Sequence, residues 1–307
     1  FKPKTIICFD MSEIALYELE QSLLNNKTKT KTKFIYFLGD VKNKNQIDKI
    51  LKIYKPSIVY HAAAYKHVPL LESMNIKQAL FNNVMGTYLL ALSCKENNVK
   101  KFILVSTDKA VNPTNVMGAS KRLAEMICEG LQESKGTNFV IVRFGNVLDS
   151  SGSVIPKFRK QISDGGPITV THPDITRFFM AIPEAAQLVI QSSIMGDGGE
   201  IFVLDMGDPV RIVDIAKSMI KLSGLTEDDV EIIFIGLRPG EKLFEEILIT
   251  GENILPTRHN KIFIAKTRNV SKKWVSSLID WIDDSPLKNE ILIKKELKKW
   301  VVEYKKQ

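Results

Sequence analysis

Residues 106–109 form a run of side chains that could transfer protons. Ser106 and Thr107 offer hydroxyl groups, and the titratable residues Asp108 and Lys109 follow directly. The apolar run before them, 102–105, predicts a strand, and α/β folds bind ligands at the carboxyl ends of their strands. A carboxyl group and an amine at a strand end could act as a general acid and a general base. The alternative is a solvated turn with an Asp–Lys ion pair.

A predicted helix after this run adds two further side chains. Met117 and Lys121 stand four residues apart near its start, so they share one helix face, which points back toward the strand end. A thioether cannot accept a proton at any relevant pH, and its ordinary use is packing. The charge of a lysine at this position would lower the pKa values of groups near it.

The elements that must position these residues follow an α/β pattern. Short β-branched and aromatic runs alternate with longer helical patterns, and continuous apolar strands predict a parallel sheet covered on both faces. We therefore expect a doubly wound parallel sheet with a smaller α/β substrate lobe. Strands are predicted at 5–9, 34–38, 57–61, 102–105, 139–143 and 201–204, and helices at 13–25, 46–54, 76–97, 117–134 and 212–222.

The predicted boundary between the two units lies near the end of the fifth visible strand. Residues 1–148 are assigned to the sheet domain and 149–307 to the substrate lobe, with about 178–206 returning to the sheet. The tail from Ile293 to Tyr304 repeats apolar residues at helical spacing and carries lysines between them. This amphipathic pattern predicts a helix that docks on the core with a lysine face in solvent. Contact with a membrane surface is the alternative.

The chain lacks the Gly-rich turn of a dinucleotide-binding sheet. No GxGxxG pattern or relative of it precedes Asp10. In such sheets that turn follows the first strand and binds the pyrophosphate at a helix N-terminus. The first strand lies in the middle of the sheet, so a chain without it would leave two interior edges unpaired. We expect the native polypeptide to extend upstream of Phe1 with this strand and loop, and with membrane helices before them.

Asp10 is the first candidate for cofactor binding. It ends the first visible strand, where dinucleotide-binding folds use a carboxylate on the adenosine ribose. A carboxylate there repels the 2′-phosphate of NADP and so favours NAD. Ser12 and Glu13 follow within the same turn and are included in the candidate cofactor site. The alternative is that Asp10 caps the helix that it precedes.

Further cofactor contacts are predicted at the ends of the next strands. Asp40 and Val41 follow the second visible strand and suit the adenine edge, and small residues after the third strand would let a dinucleotide lie against the backbone. Tight helix–strand packing is the alternative explanation for the small residues. The remaining candidates for the cofactor are Ala62, Ala63, Ala64, Ser106 and Lys121.

Composition excludes several other classes of protein. The three cysteines stand far apart without metal-ligand spacing, so neither a metal site nor a disulfide framework is expected. The net charge of +8 suits an anionic partner. The basic residues outside the tail lack interleaved aromatics, and no nucleic-acid reader motif occurs, so nucleic acid is not an expected partner. No apolar run reaches membrane-spanning length.

Several motifs together resemble the extended short-chain dehydrogenases, whose Rossmann fold carries a Ser/Thr and a Tyr-x-x-x-Lys signature. The resemblance is closest to the UDP-N-acetylglucosamine 4,6-dehydratases of the retaining type, which act in bacterial protein glycosylation and capsule synthesis and have Met in place of the tyrosine. The matching segments are 64–69, 106–113, 117–121, 143–148, 152–156, 171–173 and 238–242.

This resemblance implies NAD-dependent removal of water from UDP-N-acetylglucosamine to give a UDP-4-keto-6-deoxy sugar. Asp108 is then the acid for the C6 hydroxyl, Lys109 the base for the C5 proton, and Thr107 the contact or relay at the C4 hydroxyl. Met117 occupies the tyrosine position, and Lys121 holds the nicotinamide ribose. A basic Lys109 must be neutral, so we expect burial and the charge of Lys121 to depress its pKa, with Asp108 largely protonated.

The same resemblance implies a set of substrate contacts. Asn146, Arg177 and Arg238 would anchor the diphosphate, since arginine suits bidentate phosphate binding. Glu241 would accept hydrogen bonds from the nucleotide ribose. Lys66 and Thr169 are assigned to the sugar or the uridine. We also expect a homo-oligomer and, in the full-length protein, a cytoplasmic domain at the inner face of the bacterial inner membrane.

Two other functions remain open. A UDP-sugar 4-epimerase shares the fold but needs the tyrosine and has no use for the Asp–Lys pair. A protein that binds NAD or a nucleotide sugar without catalysis would fit the loss of tyrosine. Product mass separates the two enzymes, because dehydration removes one water and epimerisation leaves the mass unchanged.

Overall fold

The computed structural model describes residues 2–25, 31–247, 254–265 and 269–305. The strands, in chain order, are β1 (Thr5–Asp10), β2 (Lys33–Leu38), β3 (Ile58–His61), β4 (Lys101–Val105), β5 (Asn138–Arg143), β6 (Asn146–Val147), β7 (Ile168–Val170), β8 (Thr176–Arg177), β9 (Phe179–Met180), β10 (Ile201–Leu204), β11 (Val210–Arg211), β12 (Ile232–Phe234), β13 (Ile254–Pro256) and β14 (Ile262–Ala265).

The helices begin and end close to the predicted bounds where apolar periodicity is strong. They are α1 (Glu13–Asn25), α2 (Lys44–Tyr54), α3 (Val68–Leu71), α4 (Ile76–Ala79), α5 (Gly86–Glu96), α6 (Val116–Leu131), α7 (Val154–Ser163), α8 (Ile182–Met195), α9 (Ile212–Leu222), α10 (Lys272–Asp283) and α11 (Glu290–Trp300). A π-helical segment, Leu80–Met85, joins α4 to α5. The sequence also predicts a polar loop rich in lysine and threonine at 26–33, and residues 26–30 of it lie outside the described residues.

The largest sheet has six strands in the order β13-β14-β10-β5-β4-β3. Its strands β3, β4, β5 and β10 are parallel, and β14 and β13 close one side in antiparallel pairing. The interior strands are apolar in their central residues; in β4, for example, Phe102, Ile103 and Leu104 are fully buried. These runs need both faces covered, so helices pack above and below the sheet. The predicted α/β fold with a parallel sheet is confirmed.

Strands β1 and β2 form a separate parallel pair, with Thr5 opposite Lys33 and Asp10 opposite Leu38. Among the residues that the structure describes, β1 pairs only with β2, and β3 pairs only with β4. Each therefore has one edge without a strand partner. Within the described residues, these two edges belong to the first and third visible strands.

A smaller lobe has its own apolar core. Phe158 and Ile162 of α7 pack against Ile168 of β7 and against Ile212 and Ile220 of α9. Strand β12 pairs with β7 in parallel and extends this core. This cluster is distinct from the two that pack on the large sheet, so the lobe has a hydrophobic core of its own.

The tail docks on the sheet unit. Ile293, Leu297, Val301 and Tyr304 are buried and belong to the same core as helix α6, which confirms the predicted docking helix. Its lysine face is not wholly in solvent, since Lys294 pairs with Glu72. Strands β13 and β14 and helices α10 and α11 thus return to the sheet unit, in addition to the predicted return at about 178–206. The boundary between the two units stays a prediction.

Within the described ranges, no helix is both long and apolar enough to cross a membrane. The same residues contain no group of three or more His, Cys, Asp or Glu side chains arranged to hold a metal ion.

Candidate active site

A cavity of about 490 Å³ opens between the carboxyl ends of β3, β4 and β5 and the lobe. Most of the predicted catalytic and substrate residues line it, together with part of the predicted cofactor set. These are Ala62, Ala64, Lys66, Ser106, Thr107, Lys109, Met117, Lys121, Asn146, Thr169, Arg177, Arg238 and Glu241. Residues that lie far apart in the sequence therefore meet in one cavity, as the parallel topology requires.

The turn after β4 fixes the Thr-Asp-Lys run. Asp108 to Ala110 form a short 3₁₀ helix that Thr107 caps through its hydroxyl oxygen. The backbone N–H of Asp108 donates to the carbonyl of Phe144 at 3.0 Å, which ties the turn to the end of β5. A Cβ at Gly118 would lie 2.2 Å from the Lys109 carbonyl oxygen, so only glycine lets α6 approach this turn so closely.

Asp108 is fully buried, and both of its hydrogen bonds are made by one oxygen. Its Oδ1 accepts from the Thr107 hydroxyl at 2.7 Å and from Lys109 Nζ at 3.0 Å. Its Oδ2 has no hydrogen-bond partner among the described residues. Asp108 does not itself line the cavity, whereas Thr107 and Lys109 do. The carboxyl group therefore reaches the cavity through its two neighbours.

The expected depression of the Lys109 pKa is wrong for this structure. Burial does act to lower it, but the negative charges of Asp108 and Glu245 outweigh burial and raise the pKa above its ordinary value. The like charge that opposes them is Arg177 on the lobe, not Lys121. Lys109 Nζ also donates to Asn146 Oδ1 at 3.0 Å. Two hydrogen-bond acceptors and the nearby Glu245 carboxylate thus favour the ammonium form of the lysine.

Met117 and Lys121 have the orientation that their spacing predicts. Lys121 Nζ donates to the Val105 carbonyl at 2.7 Å, so the side chain reaches back to the end of β4. Burial lowers the pKa of Lys121 to about 8. Met117 is 4% exposed and packs in the main core as well as lining the cavity. Met117 therefore contributes to the hydrophobic core, as the packing interpretation of its side chain expects.

Behind the cavity, Ser106 belongs to a buried ion cluster. Its hydroxyl donates to Glu125 Oε1 at 2.6 Å, and Arg143 donates to both Glu125 oxygens at 2.8 Å. Arg122 adds a bond to Glu125 Oε2 at 2.9 Å. Burial acts to raise the Glu125 pKa, but the charges and hydrogen bonds of Arg143, Arg122 and Ser106 lower it to about 2. The cluster joins β4, β5 and α6 beneath the site.

The π-helical segment positions the loop after β3. Asn83 Oδ1 accepts from the backbone N–H of Tyr65 at 2.7 Å, and its Nδ2 donates to the Tyr65 carbonyl at 2.9 Å. The same amide donates to Ser120 Oγ on α6 at 2.9 Å. A π-helical segment often marks a functional site because it redirects one side chain. By binding Tyr65, Asn83 also positions its neighbours Ala64 and Lys66 relative to α6.

On the lobe, Arg177 is held mainly by backbone carbonyls. Its NH1 donates to Thr176 and Leu243 at 2.7 and 3.2 Å, and its NH2 donates to Lys242 at 2.9 Å. A guanidinium has five N–H donors, so Nε–H and one further N–H remain. These face carboxylates, with Glu241 Oε1 3.6 Å from NH2 and Glu245 Oε1 3.8 Å from Nε.

Glu241 and Thr169 are engaged within the lobe. Glu241 Oε2 accepts from the backbone N–H of Arg238 at 3.1 Å, and its Oε1 accepts from the Thr171 hydroxyl at 3.3 Å. Thr169 Oγ1 accepts from Lys157 Nζ. Lys157 also lines the cavity and was not among the predicted site residues. A lysine on the cavity face of the amphipathic helix α7 was the signal that could have identified it.

Glu245 is the second residue that sequence reasoning missed. It lines the cavity, and its side chain is 4% exposed. Its Oε1 lies 3.9 Å from Lys109 Nζ. In the sequence, only its position shortly after the 238–242 motif suggested a place in the site. Its neighbours Lys109 and Arg177 lie far from it in the chain.

The remaining predicted cofactor residues lie outside this cavity. Asp10, at the end of β1, is exposed and accepts from the Ser12 backbone N–H at 2.8 Å. Ser12 in turn caps α1 by accepting from Ala15 N at 3.2 Å, and Glu13 begins that helix. Ser12 rather than Asp10 thus caps α1, and Asp10 binds the turn that precedes the helix.

The turn after β2 is tied down in a similar way. Asp40 accepts from the backbone and side chain of Lys42, both at 2.8 Å. Val41 is buried, with its Cγ2 2.8 Å from where a Cβ on Gly86 would lie. Ala63 follows β3 but does not line the cavity.

The residues present fit the two ends of a dinucleotide. Lys121 has a buried ammonium in the cavity with one hydrogen bond, to a backbone carbonyl, so further donors can bind a ribose. Ala62 and Ala64 leave room beside the backbone. The exposed Asp10 carboxylate stands at the end of a parallel strand, where a second ribose is bound in such folds.

A parallel sheet, a small lobe and a titratable run at the end of β4 are features of the nucleotide-sugar dehydratase/epimerase family, of the short-chain dehydrogenase/reductase type. Within that class, the chain belongs to the family described as polysaccharide biosynthesis protein, which matches residues 1–267.

Curated relatives include proteins of both activities. The capsular polysaccharide biosynthesis protein CapD of Staphylococcus aureus is 49% identical over 95% of this chain and 49% of its own length. A UDP-glucose 4-epimerase of Rickettsia rickettsii is 36% identical, and a UDP-N-acetylglucosamine 4,6-dehydratase (inverting) of Campylobacter jejuni is 33% identical; each match spans 72% of the relative and 81% or 82% of this chain. The chain spans about half the length of CapD.

Solved structures share the fold. Pen from Bacillus thuringiensis is 31% identical with a TM-score of 0.77, covering 88% of this chain and 83% of that one. The dTDP-glucose 4,6-dehydratase DesIV from Streptomyces venezuelae, solved with NAD and TYD bound, is 18% identical with a TM-score of 0.66, covering 78% and 77%. At that identity DesIV supports the shared fold alone.

Proposed function

We propose that this chain carries the catalytic site for NAD-dependent 4,6-dehydration of UDP-N-acetylglucosamine, which yields a UDP-4-keto-6-deoxy sugar. The observation that carries the proposal is Lys109, which lies in the cavity between Asp108 and Asn146 at 3.0 Å from each. An acid, a base and an amide at one strand end suit a reaction that moves protons at neighbouring carbons. The Campylobacter jejuni relative bears the name of this reaction.

NAD, when bound, supplies the chemistry of accepting the C4 hydride and returning it at C6. Lys121 would hold the nicotinamide ribose, and Asp10 the adenosine ribose. Ser12, Glu13, Asp40, Val41, Ala62, Ala63, Ala64 and Ser106 remain proposed neighbours of the cofactor. A carboxylate at Asp10 disfavours the extra phosphate of NADP, so we propose NAD as the cofactor.

The proton transfers fall to the Thr-Asp-Lys run. Neutral Lys109 removes the C5 proton, and Asp108 gives a proton to the departing C6 hydroxyl, which leaves as water. Since Asp108 is fully buried, its proton travels through the Thr107 hydroxyl, 2.7 Å away in the cavity wall. Met117 occupies the tyrosine position of the family signature but cannot accept a proton, so it cannot act on the C4 hydroxyl. Thr107 contacts that hydroxyl instead.

The lobe would bind the nucleotide. Arg177 and Arg238 are the proposed anchors for the diphosphate, and Asn146 would lie beside it. Glu241 would accept hydrogen bonds from the nucleotide ribose. Lys66 and Thr169 remain candidates for the sugar or the uridine. All six line the same cavity as Lys109. Residues 1–148 would form the cofactor unit and residues 149–307 the substrate unit. The full-length protein would be a homo-oligomer at the inner face of the membrane.

The experiment that tests this proposal is mass spectrometry of the product formed from UDP-N-acetylglucosamine by the full-length protein. Loss of one water supports dehydration, and the C5 configuration of the product, read by NMR, separates retention from inversion. A product of unchanged mass would instead support a 4-epimerase, the activity in the name of the Rickettsia relative. Tight binding of the UDP-sugar without any product would support a non-catalytic binding protein.

A further inference from the structure

Glu245 lies between the candidate catalytic lysine and the candidate diphosphate arginine. Its Oε1 is 3.9 Å from Lys109 Nζ and 3.8 Å from Arg177 Nε. Both distances exceed hydrogen-bond length. Its Oε2 is buried and has no hydrogen-bond partner among the described residues. A carboxylate that is buried without direct hydrogen bonds depends on nearby cations to stay ionised.

The charges around Glu245 come from several elements. Lys109 and Asp108 belong to the turn after β4, Arg177 to β8, and Lys242 to its own loop. Burial raises the Glu245 pKa, as does Asp108, while Lys109, Arg177 and Lys242 act to lower it, and the net shift is upward. A loss of positive charge at any one of these cations would therefore raise the Glu245 pKa further.

Arg177 is the cation that a ligand would change. Three of its five N–H donors are used by backbone carbonyls, and the others face Glu241 and Glu245. A diphosphate bound to this guanidinium must therefore take over donors that now face the two carboxylates. Its negative charge would also screen the arginine from Glu245. Both effects favour the protonated form of Glu245.

We propose that Glu245 takes up one proton from solvent when the diphosphate of a UDP-sugar binds at Arg177, and thereby removes one of the two negative charges that hold Lys109 as an ammonium. The proposal rests on the function proposed above. The proton adds to a carboxylate oxygen of Glu245, and no other bond changes. With Glu245 neutral, only Asp108 still favours the charged lysine, so Lys109 gives up its proton more readily. Glu245 is a positioning residue in this scheme, since it acts through Lys109.

The test is the number of protons taken up on binding, measured by titration calorimetry in buffers of different ionisation enthalpy. The probe is a UDP-N-acetylglucosamine analogue without the 4-hydroxyl, which cannot begin the reaction and whose phosphates do not titrate near neutral pH. Between pH 6 and 9 we expect uptake of up to about one proton per site. Over this pH range the dissociation constant should rise by up to about tenfold per pH unit.

Glu245→Gln should bind the analogue without proton uptake and with a flat pH dependence. Glu227→Gln is the matched control, because Glu227 is exposed and pairs with Lys217 outside the cavity lining; its proton uptake should equal that of wild type. Glu245→Asp keeps a titratable carboxyl and should restore the uptake. It also serves if the glutamine variant does not fold.

Several results would overturn the inference. Binding of the analogue to wild type without proton uptake between pH 6 and 9 would do so, as would unchanged uptake in Glu245→Gln or its absence in Glu245→Asp. Failure of wild type to bind the analogue at all would instead count against the proposed function, which keeps the two failures distinct.

Discussion

The side-chain nitrogen of Lys109 lies 3.0 Å from the carboxylate of Asp108, its neighbour in sequence. The 3₁₀ turn folds the two side chains toward each other, and both are largely buried. Because the two residues are adjacent in the chain, movement of the lobe alone would not separate this ion pair. What can vary is the charge supplied by other elements, Glu245 and Arg177.

Replacing Lys109 with Ala tests the proposed base. We expect C5–H exchange with solvent deuterium to be lost and turnover to fall by roughly 10²–10⁴-fold, the usual contribution of a general base. Binding of the UDP-sugar should survive, because the arginines of the lobe remain. Lys160→Ala, on an exposed lysine of α7 that pairs with Asp164, is the control. Exchange in Lys109→Ala within about tenfold of wild type would show that the base lies elsewhere.

Replacing Asp108 with Asn separates the two halves of the reaction. The amide keeps the shape of the carboxyl but has no acidic proton, so hydride transfer from C4 should proceed while loss of the C6 hydroxyl stalls. Reduced cofactor should then accumulate and be visible by its absorbance after one turnover. Asp164→Asn, on the exposed partner of Lys160, should behave as wild type. Normal release of the dehydrated product by Asp108→Asn would contradict the assignment.

The candidate site shows where sequence reasoning succeeds. The face shared by Met117 and Lys121 follows from helical spacing, and Lys121 does reach the carbonyl at the end of β4. Parallel strands bring their carboxyl ends to one sheet edge, so Thr107 and Asn146 were expected to meet and both line the cavity. Spacing and topology were sufficient for these residues.

Long-range electrostatics could not be predicted in the same way. The sequence suggested Lys121 as the charge acting on Lys109, because it lies closest in the motif. The structure shows Glu245 and Arg177 in that role, and they belong to the lobe. Their proximity depends on how the lobe packs against the sheet, which no local pattern encodes. The pKa of Lys109 is raised because the charges of Asp108 and Glu245 outweigh both burial and the opposing charge of Arg177.

Helix geometry set a second limit. Apolar periodicity predicted one continuous helix at 76–97, and the chain there is indeed helical from Ile76 to Glu96. The π-helical turn at Leu80–Met85 changes the register within it. The turn buries Asn82 and Asn83, and Asn83 binds the Tyr65 backbone. A polar pair in the middle of a helix was the visible signal, but its partners were not.

Cofactor choice is tested at Asp10, which lies on the exposed end of β1. Asp10→Asn should weaken NAD binding by about tenfold or more, because a hydrogen bond to a charged group contributes about 1.5–3 kcal/mol. It should also narrow the preference for NAD over NADP, since the repelling charge is gone. Glu18→Gln, on the exposed face of α1, is the control. Equal NAD affinity in Asp10→Asn and wild type would leave Asp10 with its hydrogen bond from Ser12 alone.

The last prediction concerns Glu125, whose carboxylate joins β4, β5 and α6 through Ser106, Arg143 and Arg122. Glu125→Gln removes the carboxylate that both buried arginines bind, although Arg122 keeps its longer contacts to Glu129 and Glu303. The change should lower the free energy of unfolding by about 3–5 kcal/mol at pH 7. Glu184→Gln breaks only the exposed pair with Lys261 and should lower it by about 1 kcal/mol or less. Urea denaturation monitored by circular dichroism measures both.

The pH dependence of the same variant gives a sharper test. The Glu125 pKa is about 2 in the folded protein, below its ordinary value of 4.5, so the folded state binds fewer protons than the unfolded state between these values. The stability that this group supplies is therefore complete above pH 4.5 and is lost as the pH falls from 4.5 toward 2. The difference between wild type and Glu125→Gln should shrink across that interval. If the difference stays constant down to pH 3, the charge of Glu125 is not what stabilises the cluster.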